Sequence, residues 1–281
     1  MKILLLGHKG MLGSSLLLSL SRAHKVTGFD KNEVDVTSSD ACRELINNND
    51  PDIVVNAAAY TDVDGCEKEK DECYAVNAGA VKNIAESCRE KNIRIIHFST
   101  DYVFDGKSCE PYHEDSSCNP INVYGASKLA GERYLQQLSS NYLLIRTEWL
   151  YGKNGRNFVR TILEKAETMD RLEVVDDQIG SPTYAKDIAV AVGLMIDRNL
   201  TGIYHVTNRG SCSWFQFTEK ILQGAGITGV KVLPIKSDKL NRPARRPHYS
   251  VLSMKKFVRA TGKAMQPWQL ALQDYLHDMK Y

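Results

Sequence analysis

Five short apolar runs, KILLL at 2–6, KVTGF at 25–29, DIVVN at 52–56, IRIIHFS at 93–99 and YLLIRT at 142–147, recur through the first half of the chain with a helix-length segment between each pair. A run that is apolar on both alternating faces suits a strand covered above and below, as in a parallel sheet. Segments 11–22, 38–49, 75–91 and 122–138 carry helical patterning between the runs. This alternation predicts a doubly wound α/β sheet with right-handed crossovers on both faces.

Beyond residue 150 the rhythm loosens. LEVV at 172–175 and GIYHVT at 202–207 still read as strands, and prolines 182, 234, 243, 247 and 267 cluster late. The division expected is a nucleotide-binding unit over 1–150, rejoined by residues 185–210, and a smaller substrate lobe built mainly from 151–281. A chain of 281 residues is long enough for both. A formal charge of +2 gives no field for nucleic acid, and no apolar stretch reaches membrane-spanning length. His8, Lys9 and three glycines break the apolar start too early for a secretory signal. The seven cysteines show no C-x-x-C pair, which points to a reducing, cytoplasmic setting and to neither zinc nor a disulfide framework.

The loop after the first strand is GHKGMLG, with Gly7, Gly10 and Gly13 leading into a helix. Small residues there allow a tight turn and let a pyrophosphate meet the free N–H groups and positive dipole end of the helix. That makes the sheet Rossmann-type. Asp30 ends the second run about 20 residues after such a loop, where a carboxylate accepts from the adenosine ribose. It favours NAD(H) by repelling a 2′-phosphate; Lys31, next along, is placed to offset the repulsion and keeps NADP(H) open. Asp35 is either an adenine contact or a solvated surface group. Ala57, Ala58 and Ala59, at the end of the third run, offer either a smooth cofactor rim or tight helix packing. The basic run 236–246, KSDKLNRPARR, is either an exposed loop or a diphosphate grip.

The fourth run leads into Thr100 and Asp101, at the carboxyl edge where open α/β sheets bind ligands. Tyr124 and Lys128, in YGASK, stand one helical turn apart on one face. Spacing alone fits an aromatic packed on a lysine stem equally well. With Thr100 nearby the three make a carbonyl-reducing set: Thr100 polarises the ketone oxygen, Tyr124 protonates the alkoxide, and the Lys128 ammonium stabilises the phenolate and holds the nicotinamide ribose.

With STDYVFDG (99–106), NVYGASKLAGE (122–132), RTEWLYG (146–152), NF (157–158), DQIGSPT (177–183) and RPHYSVL (246–252) in this order, the chain resembles the dTDP-4-dehydrorhamnose reductase family of the extended short-chain dehydrogenase/reductase superfamily. The resemblance implies reduction of the C4 ketone of dTDP-4-dehydro-β-L-rhamnose by NADPH or NADH. It implies Thr100, Tyr124 and Lys128 as the catalytic set and Asp101, Trp149, Asn157, Gln178 and Arg246 against the sugar nucleotide. The expected cofactor contacts are Gly7, Gly10, Met11, Leu12, Gly13 and Asp30, then Asp35, Val36, Ala58, Ala59, Tyr60 and Thr61, with Tyr124 and Lys128. Met11 stands where many relatives have Gln. Ser15 replaces a glutamate that bridges some members into metal-linked dimers, so no metal and a monomer or weak homodimer are expected. The competing readings are another nucleotide-sugar 4-reductase or epimerase, and a non-catalytic NADP-binding regulatory subunit.

Overall fold

In the computed structural model, which describes residues 1–279, β1 (Lys2–Leu6) passes through the glycine loop into α1 (Met11–Leu20), followed by β2 (Lys25–Phe29), α2 (Ser39–Asn49) and β3 (Ile53–Asn56). Two short helices, α3 (Val63–Lys68) and α4 (Lys70–Tyr74), precede a π-helical turn at Ala75–Gly79, α5 (Ala80–Arg89) and β4 (Arg94–Thr100). Next come α6 (Val123–Leu138), β5 (Tyr142–Thr147), β6 (Leu150–Tyr151), α7 (Phe158–Ala166), β7 (Arg171–Val175), β8 (Ile179–Gly180) and β9 (Thr183–Tyr184). The chain ends with α8 (Ala185–Asp197), β10 (Gly202–His205), β11 (Cys212–Ser213), α9 (Trp214–Gly224), β12 (Lys231–Ile235), α10 (Lys255–Thr261) and α11 (Trp268–Met279). No helix among the described residues is long and apolar enough to cross a membrane.

Six parallel strands form the central sheet in the order β2-β1-β3-β4-β5-β10. Alternation within each apolar run divides it between two cores. Ile3 and Leu5, with Ile53, Val55 and Ile145, pack under α1 and α8; Leu4 and Leu6, with Val54 and Leu144, pack under α2 and α5. That two-sided burial is why the strands read as unbroken apolar runs. A third core is aromatic: Tyr151, Tyr184, Phe217, Trp268 and Tyr275 fill the space around the parallel pair β7–β12 and helices α7, α9 and α11.

The segment expected as one helix over 75–91 is broken at its start by the π-helical turn and ends at Arg89. The wide turn aims Asn77 inward: its amide donates to Tyr60 O and Ser127 Oγ, both at 3.0 Å, and accepts from Tyr60 N at 2.9 Å. This ties the loop after β3 to α6.

Helix α6 is fixed at its start and again along its body. Asn122 caps it through a 2.8 Å bond from Gly125 N. Gly125 is required by close approach, since a Cβ there would lie 2.1 Å from Tyr102 O. Further along, Glu132 receives two bonds from Arg146 of β5, at 2.9 and 2.7 Å, with side chains 0% and 3% exposed. A bidentate pair without water gains little over an apolar pair, but removing one partner strands the other charge, at a cost of about 3–5 kcal/mol. Glu132→Gln is therefore expected to lower unfolding free energy by roughly that amount, read from urea denaturation, with Glu132→Leu/Arg146→Met recovering much of the loss.

Candidate active site

Strands β2 and β3 flank β1, so the chain reverses direction at the β1/β3 boundary and leaves a crevice at their carboxyl ends. A cavity of about 750 Å³ opens there, lined by Gly7, Gly10, Asp30, Asp35, Val36 and Ala57–Tyr60. The loop is built for close approach. A Cβ on Gly13 would lie 2.0 Å from Gly7 O, and Gly7 itself has φ +79°. Gly10 caps α1 without any side-chain acceptor, leaving first-turn N–H groups for an anion. These residues fit a dinucleotide, with the pyrophosphate at the α1 N-terminus and the adenosine toward Asp30 and Asp35.

Thr100 ends β4, and Tyr124 is the second residue of α6. The Thr100 hydroxyl gives its hydrogen to Asp101 Oδ1 at 2.9 Å, and Tyr102 meets the Tyr124 ring edge-on at 5.6 Å between centroids. Burial, then the nearby Asp101 carboxyl, pushes the phenol above its ordinary range, with Thr100 opposing the shift. Lys128 Nζ donates to Phe98 O at 2.6 Å and lies 3.5 Å from His97 Nε2. Its burial brings its pKa down to about 8.

On the far side, a second cavity of about 750 Å³ is lined by Gln178, Lys236, Arg242, Arg245, Arg246 and His248, among others. Arg246 makes a bidentate pair with Asp64 of α3, both bonds 2.7 Å. The basic run thus forms one wall of a cavity, and one of its arginines bridges to the nucleotide-binding side.

The family model for the RmlD substrate binding domain matches residues 1–281. The chain belongs to this RmlD family. It is 41% identical to the spore coat polysaccharide biosynthesis protein SpsK of Bacillus subtilis, over 99% of this chain and 97% of that protein. It is 34% identical to the dTDP-4-dehydrorhamnose reductase of Escherichia coli, over 99% and 98%. The crystal structure of the Bacillus anthracis dTDP-4-dehydrorhamnose reductase in complex with NADP superposes with a TM-score of 0.95 at 38% identity, covering 99% of each chain.

Several sequence expectations for this RmlD-family chain are altered by the structure. Lys9, from the glycine loop, sits 2.6 Å from Asp30 and takes the role expected of Lys31. It also reaches Glu33, at 3.6 Å. Asp35 lines the cavity but spends Oδ1 on Thr37 N and Oγ1, at 2.9 and 2.6 Å. Leu12 points into the core, Met11 packs toward Gly152 and Gly155, and Thr61 is exposed outside the first cavity's lining. Lys128 turns its ammonium to Phe98 O, at 2.6 Å. Asn157 is consumed structurally: it caps α7 and donates to Gly152 O and Tyr275 OH. Trp149, with φ +48°, stacks on Trp214 at 3.5 Å and lines neither large cavity.

Two residues escaped the sequence reading. Lys9 carried a signal, a cation inside a phosphate-type loop. Glu148 also did, as a lone acid at the apolar end of β5 in RTEWLYG; it is 2% exposed.

Because Lys9 neutralises Asp30, Lys9→Ala is expected to lower the NADPH-to-NADH ratio of kcat/KM, and Asp30→Ala to raise it, both measured by steady-state kinetics. Burial disfavours the Lys128 ammonium, so its penalty on folding is full below about pH 8 and fades as pH rises toward the ordinary 10.5, where the unfolded chain also loses the proton. Lys128→Met should raise the thermal midpoint at pH 7, with the difference closing as pH approaches 10.5 in a series of melts.

Proposed function

We propose that this chain reduces the C4 ketone of dTDP-4-dehydro-β-L-rhamnose to dTDP-β-L-rhamnose, with NADPH or NADH as reductant. The observation that carries the reading is positional. Thr100 at the end of β4, Tyr124 at the start of α6 and Lys128 one turn along stand at the carboxyl edge of the sheet, where the glycine-lined cavity also opens at the ends of β1 and β3. The three line neither large cavity. The B. anthracis relative bound to NADP supports the cofactor, and the reductases among the relatives support the substrate.

Gly7, Gly10 and the Ala57–Ala59 rim hold the dinucleotide, with Asp30 and Lys9 at its ribose. Bound there, it supplies the hydride. Arg242, Arg245 and Arg246 suit the diphosphate of the sugar nucleotide, and Gln178 stands in the same wall. Thr100 donates to the ketone oxygen and stabilises the charge that develops on it. Tyr124 gives its phenolic proton to the same oxygen. In the protein alone that phenol is a weaker acid than in water. The step therefore needs positive charge brought near the ring, which Lys128 supplies once its ammonium turns from Phe98 O toward the ribose and phenol.

The test is NADPH and NADH consumption with dTDP-4-dehydrorhamnose against other 4-keto sugar nucleotides; equal or greater kcat/KM on another sugar overturns the substrate. Tyr124→Phe should lower kcat by several orders of magnitude and leave cofactor affinity within a few-fold, as read by fluorescence titration.

A further inference from the structure

Thr100 has one hydrogen to give. Its Oγ1 accepts from Tyr102 N at 3.2 Å and donates to Asp101 Oδ1 at 2.9 Å. The reduction proposed above needs that same hydrogen on the ketone oxygen. A carboxylate holds a donor about twice as strongly as a neutral acceptor does, so an ionised Asp101 competes directly with the substrate. A protonated Asp101 releases it.

Asp101 is 1% exposed, and its Oδ2 is buried with no hydrogen-bond partner. Behind it lies Glu148, 2% exposed, which accepts from Ser250 Oγ and Leu252 N, both at 3.2 Å. In the register of β4 and β5 Thr100 lies beside Thr147, so Asp101 and Glu148 leave the sheet as neighbours, and the Ser250 hydroxyl, given to Glu148, also draws the Asp101 carboxyl down. Among the described residues neither acid has an ion-pair partner; the nearby Arg246 is bound to Asp64 and, with Arg242, faces Tyr102. The other titratable groups around the pair, Tyr124 of α6, Cys212 of β11, Tyr102 and Tyr249, are acids that burial keeps neutral. Two carboxyls in dry surroundings without a cation cannot both be charged. Burial raises both, and each charge opposes the other.

We propose that Glu148 is a positioning residue for the reduction: through Ser250 it keeps one proton shared with Asp101, and the proton's transfer to Asp101 frees the Thr100 hydroxyl for the ketone. In that transfer the Ser250 hydroxyl turns from Glu148 to the unpartnered Asp101 Oδ2; the Glu148 O–H breaks as its proton passes to Ser250 Oγ, and the hydrogen of Ser250 moves to Asp101. One O–H is lost and one is gained, with no net change of charge. The inference rests on the role given to Thr100 above.

Glu148→Gln keeps the shape and removes the proton store. Asp101 then ionises at lower pH, because no second charge opposes it. The expected result is a kcat tenfold or more below wild type at pH 8, with KM for NADPH and for dTDP-4-dehydrorhamnose within about twofold. The activity should recover as pH falls, moving the kcat–pH profile by a unit or more to the acid side. Adding Asp101→Asn, which is neutral at every pH, should abolish the recovery. A Glu148→Gln profile that superimposes on wild type, or one lowered by the same factor at every pH, overturns the proposal. An unchanged urea midpoint shows that the variant is folded; for one that is not, Ser250→Ala, which breaks the connection while leaving both acids, must give a displaced profile or the proposal falls. Thr100→Val separates the two levels: wild-type turnover there removes the role of Thr100 and this inference with it. Severe loss there beside an unaltered Glu148→Gln removes this inference alone.

Discussion

The buried pair of Glu132 and Arg146 is the joint on which the site depends. Glu132 lies one turn beyond Lys128 on α6, and Arg146 lies two residues before Glu148 on β5. Through two short bonds the helix carrying the phenol and the lysine is held against the strand that delivers the buried acid and Trp149. Arg146 reaches further, to Glu114 O at 3.3 Å, and Glu114 in turn accepts from His205 N of β10. One guanidinium thus sets the relative position of α6, β5, β10 and the long loop after β4. Two of the motifs that carry the family resemblance owe an acid and a base to this joint as well as residues to the chemistry.

Burial dominates the electrostatics of the site. It pushes the Tyr124 phenol and both carboxyls up and brings Lys128 down. Every shift favours the uncharged form. At the outer ends the balance is reversed, with Lys9 on Asp30 and Arg246 on Asp64 charged and paired. The rims of the two cavities thus carry paired charge, whereas the buried groups between them are driven toward their neutral forms.

The inner sheet was legible because both faces of its strands are buried: β1 and β5 begin and end where the apolar runs do, and the edge strand β2 kept its bounds although it is only partly covered. Helix α6 was legible from Asn122 and the motif behind it. The π-helical turn was not, because a one-residue widening leaves the apolar periodicity almost unchanged. Asn157 was open to two readings from the sequence, a sugar-nucleotide contact or a group that satisfies loop backbone, and it caps α7 and donates to Gly152 O. The pairing of Lys9 with Asp30 and the meeting of Asp101, Glu148 and Ser250 join residues distant in sequence, and no local pattern encodes them. Composition, with 36 Lys and Arg against 34 Asp and Glu, says nothing of pairing, and only folding shows that, among the described residues, these two buried acids are left without a cation.

Asn122 does two things with one amide. Its oxygen caps α6, and its nitrogen donates to Arg245 O in the basic segment at 2.7 Å. The wall that suits a diphosphate and the first turn that presents Tyr124 therefore hang from a single hinge pin, and a pull on one reaches the other through a rigid planar group. Whatever shifts the basic wall shifts the first turn of α6 with it.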